Sequence, residues 1–210
     1  MSSVHLTSSL LAPISYYAKL YHYDKAIIEA HDNYLKQTYR NRFFIAGANG
    51  KMPLSIPVEK PSGKCAMRDV RISEHGEWRH QLWYALFSSY NSSPFFEYYE
   101  DDFRPFFEKK FDYLFDFNEE IREIICELIG FTPNVEYSTE YLMTEEINGD
   151  DFRELIHPKK DYKIVDPNFI DKPYYQVFAQ KFGFTPNLSI IDLLFNMGPE
   201  SLLVLRDSMK

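Results

Sequence analysis

DNYLKQTYRNRFFIAGANGKMPLSIPV, residues 32–58, contains the β-structure signal from which the fold can be worked out. Two strand-like arms, RFFIAG and KMPLSIPV, flank Ala48–Gly50, which is typical of a hairpin turn because glycine accepts a positive φ. Pro53 and Pro57 in the second arm cannot donate to a ladder. The stretch therefore predicts an antiparallel hairpin whose second arm is an edge strand.

Outside this hairpin, the hydrophobic period changes near residue 76 from strand-like alternation to helical spacing. Further strands are predicted at Leu6–Ile14, Ala26–His31, Met67–Ser73 and Val135–Leu142. Helices are predicted at Ser15–Tyr23, at Glu77–Ser89, as two short segments broken near Pro105, from Asn118 to Ile129 with Gly130 as the stop, at Asp150–Ile156, at Tyr174–Phe182, and from Ile190 behind a Ser189–Asp192 capping box.

Early strands followed by late helices predict an α+β (mixed α/β) fold. We expect a single domain over residues 1–210. Its strand-rich part, 1–75, would form a mixed β-sheet covered by helices, and its part 76–210 would be helix-rich. The last helix, within LSIIDLLFNMGPE, is either a partner face or ordinary core, and its apolar stripe favours core.

Composition excludes several classes of function. A net charge of -8 without a basic block argues against nucleic acid as a partner, because duplex binding rests on clustered cations. No run of 18 apolar residues predicts a membrane span, and the start lacks the pattern of a signal peptide, so we expect a cytoplasmic protein. Cys65 and Cys126 form no CxxC pair and are expected to be inert thiols.

A polar cluster directly before the hairpin is the strongest candidate for ligand binding. Its members are Gln37, Tyr39, Arg40, Asn41 and Arg42. If this run is extended, Arg40 and Arg42 share a face, where two guanidinium groups would hold a carboxylate or phosphate. The alternative is a solvated strand edge whose arginines pair with surface carboxylates.

Two further groups have candidate chemistry. Glu29 and His31 would share a face at a strand end, as a general base with its orienting carboxylate, although a surface or core histidine is the alternative. Trp78 and His80 would meet a ligand at a helix N-terminus, although Trp78 also suits a core position. No third ligand accompanies the histidines, so no metal site is predicted.

Recognised catalytic and cofactor motifs are missing from the sequence. It has no G-x-G-x-x-G, Walker loop, G-x-S-x-G elbow or H-E-x-x-H, and only 8 glycines. No cofactor is therefore predicted, and any nucleotide would have to be bound by side chains.

The order of these pieces resembles the WbqC-like family of bacteria. LAPISYYAKL has Pro13, Tyr17 and Lys19 in the family's places, and an acidic strand end follows at Glu29 or Asp32. KQTYRNRFFI then precedes a hairpin that ends in Pro-Val. Further matches are Tyr90, Pro94, Phe95, Phe96, Tyr175, Gln176, Phe178, Ser189, Asp192, Leu193, Asn196 and Gly198. One departure is Leu11-Ala12-Pro13, where many members have His-Gln-Pro.

What the resemblance implies is a role in surface-polysaccharide (O-antigen-like) biosynthesis, with transfer of glycine or another amino acid as a suggested activity. We expect a small-molecule ligand such as a sugar nucleotide, and the oligomeric state stays open. Arg40 and Arg42 would hold diphosphate, and Tyr17 or Tyr39 would contact sugar or base. Candidate catalytic groups are Glu29, His31 and Lys19. The alternative is a non-catalytic ligand-binding or assembly protein.

Overall fold

The computed structural model describes residues 2–60 and 63–210. The strands are β1 (Ser3–Thr7), β2 (Lys25–Glu29), β3 (Arg42–Gly47), β4 (Gly50–Ser55), β5 (Val135–Tyr137) and β6 (Asp150–Asp151). The α-helices are α1 (Ile14–His22), α2 (Trp78–Tyr90), α3 (Phe96–Glu108), α4 (Leu114–Ile129), α5 (Tyr162–Val165), α6 (Ala179–Phe182), α7 (Ile190–Met197) and α8 (Ser201–Asp207). Short 3₁₀ helices lie at Met67–Asp69, Thr144–Glu146 and Gly198–Glu200.

The four-stranded sheet is parallel throughout, in the order β5-β2-β1-β6. Helix α1 connects β1 to β2, and the two strands pair from Ser3–Lys25 to Thr7–Glu29. Apolar side chains on both strands, such as Leu6 and Ile28, are completely buried. Parallel sheets have both faces covered by other elements, and burying these apolar side chains stabilises the β1-β2 pair.

The predicted α+β class is confirmed, with a difference in where the strands come from. The outer strands β5 and β6 belong to the helix-rich part of the chain. They have three and two residues, too few for independent stability, and they form by adding to the edges of the β1-β2 pair. The hairpin of β3 and β4 is antiparallel, as predicted, and lies apart from this sheet.

Helices cover the parallel sheet through a core rich in aromatic rings. Phe195 on α7 packs with ring centroids 5.1 Å from both Phe96 and Phe103 on α3, and 5.3 Å from Tyr90 on α2. Residues Ile190 to Asn196 are all buried. This supports the core interpretation of the last apolar stretch over a partner face.

The predicted strand Met67–Ser73 is wrong. The segment forms the 3₁₀ helix Met67–Asp69 followed by isolated bridges at Arg71 and Ile72. Its buried positions, Met67, Val70 and Ile72, are spaced three and then two residues apart. A three-residue spacing is typical of a 3₁₀ turn, and a two-residue spacing is typical of extended backbone. The alternation of apolar and polar residues in this segment suggested a strand throughout, although its first part is a turn.

The predicted break at Pro105 is also wrong, because α3 runs through it. Both Pro105 and Asp101 are exposed, so water can solvate the carbonyl that loses its helical donor. Downstream, the Lys109 amide still donates to the Pro105 carbonyl at 2.8 Å. A proline on the solvent face of a helix therefore need not end it.

Three helix predictions in the second half differ from the structure. Asp150–Ile156 contains β6 and turns instead of a helix, and Tyr174–Phe182 is helical only in α6. Helix α7 starts at Ile190 as predicted, but without the capping box. Ser189 Oγ donates to the Leu11 carbonyl at 2.6 Å, and the Asp192 carboxylate accepts hydrogen bonds from buried tyrosines. Among the described residues, no helix combines the length and apolar character needed to cross a membrane.

Candidate functional site at the carboxyl edge of the parallel sheet

Polar residues collect where the four parallel strands end. Thr7 ends β1, Glu29 ends β2, Ser138 follows β5 and Arg153 follows β6. Carboxyl ends of parallel strands meet at one edge of a sheet, and ligands of open α/β sheets bind outside that edge. A cavity of about 520 Å³ opens there. Its lining residues are Asp32, Asn33, Leu35, Arg40, Tyr141, Thr144, Asp151, Arg153, Glu154 and Leu155.

Asp32 and Arg40 form the buried centre of this cavity, with exposed fractions of 6% and 1%. Asp32 Oδ2 accepts hydrogen bonds from Thr7 Oγ1 at 3.0 Å and from Arg40 Nη2. The same Arg40 nitrogen contacts Glu154 Oε1 at 3.0 Å. The ends of β1 and β6 are thus connected through one guanidinium group.

A turn holds the Arg40 backbone in place, so the extended run that a shared face of Arg40 and Arg42 would require does not form. The Asn118 side-chain amide on α4 donates to the Arg40 carbonyl at 2.9 Å. The Leu10 amide donates to the neighbouring Tyr39 carbonyl at 2.8 Å. Asn118 was expected to cap α4, but α4 begins at Leu114 and this buried amide fixes the turn instead.

Two atoms of the central pair lack hydrogen-bond partners among the described residues: Asp32 Oδ1 and Arg40 Nε. Buried polar groups nearly always have partners, and the exceptions call for an explanation such as a ligand. Burial raises the pKa of Asp32, although the adjacent Arg40 and Thr7 oppose that shift. Asp32 is therefore a carboxylate with an unused oxygen and increased basicity.

Arg153 organises the opposite wall. Its Nε and Nη2 bind the two oxygens of Asp151 at 3.0 and 2.9 Å, a bidentate pair, and its Nη1 contacts Glu29 Oε2 at 3.1 Å. Nη1 also donates to the Leu142 carbonyl at 2.9 Å, and the guanidinium lies 5.0 Å from the Tyr141 ring centroid. Burial alone would raise the pKa of Asp151, but the Arg153 contacts outweigh it and lower that pKa.

Glu29 is a buried partner of Arg153 instead of a group facing the cavity. Its Oε1 accepts hydrogen bonds from the Ser138 hydroxyl and, at 2.9 Å, from the His31 amide. Glu29 therefore contacts His31 through the histidine backbone, and the predicted pairing of the carboxylate with the imidazole is not among the hydrogen bonds of the described residues. Within residues 2–60 and 63–210, no three His, Cys, Asp or Glu side chains are grouped to hold a metal ion.

The charges of the cavity do not favour a phosphate. Three lining carboxylates, those of Asp32, Asp151 and Glu154, face two lining guanidinium groups that are already paired with them. An anion would have to displace these carboxylates. Carboxylate oxygens instead accept hydrogen bonds from hydroxyl or amino groups, the groups that a sugar or an amine presents.

Several predicted site residues, the catalytic candidate Lys19 and the ligand contacts Tyr17 and Pro13, are buried and do not line this cavity. Lys19 is completely buried, forms an ion pair with Asp166 and lies 4.0 Å from the Phe152 ring centroid. Burial lowers the pKa of Lys19. Tyr17 is 1% exposed, and Pro13 is buried directly before α1. The burial of all three reflects the apolar surroundings of α1.

Tyr39 is also buried, with its ring centroid 6.1 Å from that of Phe44. The other members of the predicted cluster surround a separate surface groove of about 480 Å³. Gln37, Asn41, Arg42 and Trp78 line this groove, whereas His80 lies in a neighbouring depression beside Trp83.

The expectation that Arg40 and Arg42 share a face is wrong. Residues 36–41 form turns, and only Arg42 belongs to β3. Alternating side chains require extended backbone, so the argument did not apply here. Arg40 faces the cavity and Arg42 the groove.

Asp151, Arg153 and Glu154 were missed as site residues. The sequence predicted a helix for their segment, Asp150–Ile156. Strand β6 has only two residues, too few to show a strand-like periodicity in the sequence. Its pairing with β1 brings these side chains to the sheet edge. Asp32 had one signal, its position as an acidic residue just after a buried strand.

Comparison with known proteins identifies relatives but no described activity. The family model for the WbqC-like protein family matches residues 8–157 and 147–204. The uncharacterized protein Rv1507c of Mycobacterium tuberculosis (strain ATCC 25618 / H37Rv) is 26% identical over 199 residues, covering 85% of this chain and 86% of the relative. No solved structure matches.

Proposed function

Because this chain belongs to the WbqC-like protein family, we propose that it is a cytoplasmic transferase acting on a sugar-nucleotide or polysaccharide precursor in surface-polysaccharide biosynthesis. The reaction class we favour is transfer of an amino-acyl group to a sugar hydroxyl or amine. One observation carries the proposal: the buried Asp32 carboxylate lines a polar cavity, has an oxygen without a partner and has a raised pKa.

Asp32 is the proposed general base. Amide or ester formation requires the acceptor nucleophile to lose a proton, and a base with a pKa closer to neutrality accepts it more readily. The acceptor N–H or O–H transfers its proton to Asp32 as the nucleophile bonds to the donor carbonyl carbon. The leaving group then departs with the electrons of the bond that breaks.

Arg40 and Arg153 act as positioning residues in this proposal. Arg40 holds Asp32 Oδ2, whereas Oδ1 is buried without a partner among the described residues, so the proposal requires a side-chain shift that brings Oδ1 into contact with the acceptor. Arg153 holds Asp151 bidentately, so both carboxylates present fixed oxygens to sugar hydroxyl groups. Preorganised carboxylates of this kind reduce the entropy lost when the acceptor binds.

A second candidate is a non-catalytic ligand-binding or assembly protein. It is supported by Leu11-Ala12-Pro13, where the resembled members have His-Gln-Pro. Here the Leu11 and Ala12 carbonyls accept hydrogen bonds from Ser189 and Ile190, so these residues serve packing.

The deciding experiment compares wild type with Asp32→Asn, which retains the shape and an acceptor oxygen for Thr7. Purified protein is mixed with activated amino acids as donors and with amino sugars or nucleotide sugars as acceptors, and product is followed by mass spectrometry. We expect wild-type turnover, with a loss of at least about 10²-fold in Asp32→Asn, the usual size of a general-base contribution.

Acceptor binding by both variants is measured by calorimetry, which separates lost chemistry from a lost fold. Equal turnover by Asp32→Asn would exclude Asp32 as the base. Acceptor binding without any turnover in wild type would favour the non-catalytic alternative.

A further inference from the structure

The groove lined by Arg42, which we call the basic groove, is lined in part by the segment that also brings Arg40 to the cavity. Its walls include Lys36, Arg42, Ser55, His75, Glu77 and Trp78. The segment 33–42 contributes to both openings, with Asn33, Leu35 and Arg40 at the cavity and Tyr34, Lys36, Gln37, Asn41 and Arg42 at the groove. The two openings are thus formed by one segment.

Arg42 is half-buried and has no carboxylate within ion-pair distance among the described residues. Its Nε donates to Ser55 Oγ at 3.2 Å, and its terminal nitrogens make no hydrogen bond within the described chain. Each of the more deeply buried arginines, Arg40, Arg122 and Arg153, is paired with a carboxylate. In a chain of net charge -8, a partly buried guanidinium whose two terminal nitrogens have no partner among the described residues is suited to bind an anion.

Further positive charge surrounds the same space. Lys36 lines the groove without an ion pair in the described part of the chain, and the N-terminus of α2 opens beside it. Glu77, at the start of this 13-residue helix, makes no side-chain capping hydrogen bond, so the first amides have no cap. The helix end contributes about half a positive charge. Glu77 is the one lining carboxylate of the described groove.

Tyr34 relates the basic groove to the cavity. It is half-buried, and burial raises its pKa while both Arg40 and Arg42 lower it. Its phenol therefore lies within electrostatic range of a guanidinium in each opening.

We infer that the basic groove binds the diphosphate of a nucleoside diphosphate, through Arg42, Lys36 and the first turn of α2. A guanidinium fork matches two phosphate oxygens, and uncapped helix amides complete an anion site. The choice of a nucleotide rests on the proposed function, since a sugar-nucleotide acceptor would place its diphosphate here and its sugar hydroxyl or amine toward Asp32. Binding of the phosphates in the groove and of the reacting group in the cavity also agrees with the charges, because the groove is basic and the cavity acidic.

Titration calorimetry of the full chain with UDP, inorganic pyrophosphate and uridine tests this inference. We expect UDP and pyrophosphate to bind, uridine to bind much more weakly, and UDP affinity to fall with added salt. Arg42→Gln should weaken UDP binding by about tenfold or more, as expected for lost hydrogen bonds to a charged group. The matched control is Arg71→Gln, which removes an exposed arginine that contacts Tyr113.

Amide chemical shifts of the wild type provide a readout that does not depend on any variant folding. UDP should move the amide resonances of Trp78 to His80, the first turn of α2. Absence of UDP binding at millimolar concentration, equal binding by Arg42→Gln, or uridine binding as well as UDP would each overturn the inference.

Asp32→Asn distinguishes the two proposals, because it should keep UDP affinity while losing turnover. Turnover without phosphate binding would overturn the groove alone. Phosphate binding without turnover would overturn the transferase alone.

Discussion

Arg40 and Asp32, eight residues apart in sequence, form an ion pair that is almost completely buried at the carboxyl edge of the parallel sheet. The pair joins the turn before the hairpin to the end of β2, and Glu154 extends it to the segment after β6. This contact places a basic side chain and an unused carboxylate oxygen in one cavity. The chemistry proposed for the protein depends on it.

Removing Arg40 should destabilise the protein strongly. Arg40→Met leaves Asp32 buried without its cation, and breaking a buried pair in this way lowers the free energy of unfolding by roughly 3–5 kcal/mol. Urea denaturation followed by circular dichroism measures the change. The double variant with Asp32→Asn should recover part of the loss. A loss below about 1 kcal/mol in Arg40→Met would show that water reaches the pair, as at exposed sites.

The pH dependence of stability should report Asp32. Burial, opposed by Arg40, raises the folded-state pKa of Asp32 above its ordinary value of 3.8. The folded state therefore binds this proton more tightly, so the contribution is complete below pH 3.8 and is lost as pH rises through the folded-state pKa. The stability of wild type relative to Asp32→Asn should decrease from about pH 4 upward. Denaturation midpoints measured in parallel give this difference, and an increase over the same range would contradict the raised pKa.

Replacing Arg153 with lysine should weaken the cavity wall even though the charge is kept. Lysine cannot reproduce the bidentate contact with Asp151 together with the contact to Glu29, so we expect a loss of about 2 kcal/mol. Thermal denaturation measures it. The matched control is Arg206→Lys, whose pair with Asp207 is exposed and should leave the melting temperature unchanged. Equal behaviour of the two variants would mean that Arg153 acts as an ordinary surface charge.

The two thiols should differ in reactivity. Burial raises the pKa of Cys126 to about 12, so its thiolate is scarce at neutral pH. Cys65 is half-buried, and burial also raises its pKa. A thiol-specific disulfide reagent should label Cys65 slowly in the native state and Cys126 only after denaturation. Cys65→Ser should then show no native labelling, and rapid labelling of that variant would contradict the buried position of Cys126.

Local signals in the sequence predicted the elements that depend on neighbouring residues. The hairpin of β3 and β4 follows from an Asn-Gly turn between apolar arms, with Gly50 at φ 101°. Helix α2 follows from the 3.6-residue spacing of its buried face, and α4 ends at Gly130 with φ 92°. The hairpin, helix α2 and the end of α4 each depend on residues that are close together in the sequence, so they can be predicted from the sequence alone.

The candidate site could be predicted only in part. Arg40 was identified from its residue type, but Asp151, Arg153 and Glu154 were not. The Arg153–Glu29 contact spans 124 residues and the Arg40–Glu154 contact spans 114. Contacts between residues so far apart in the sequence leave no local hydrophobic pattern from which they could be predicted.

The sequence by itself determined the α+β class, the hairpin, the long helices and an acidic chain with a few clustered arginines. The tertiary structure decided which arginine meets which carboxylate. Strand β6, with two residues, exists because the edge of β1 offers hydrogen-bonding groups, and Arg153 reaches Glu29 because β6 adds beside β1. Sheet assembly and the desolvation of charges are non-local. For this reason Arg40 lies in an acidic cavity and Arg42, two residues later, in a basic groove.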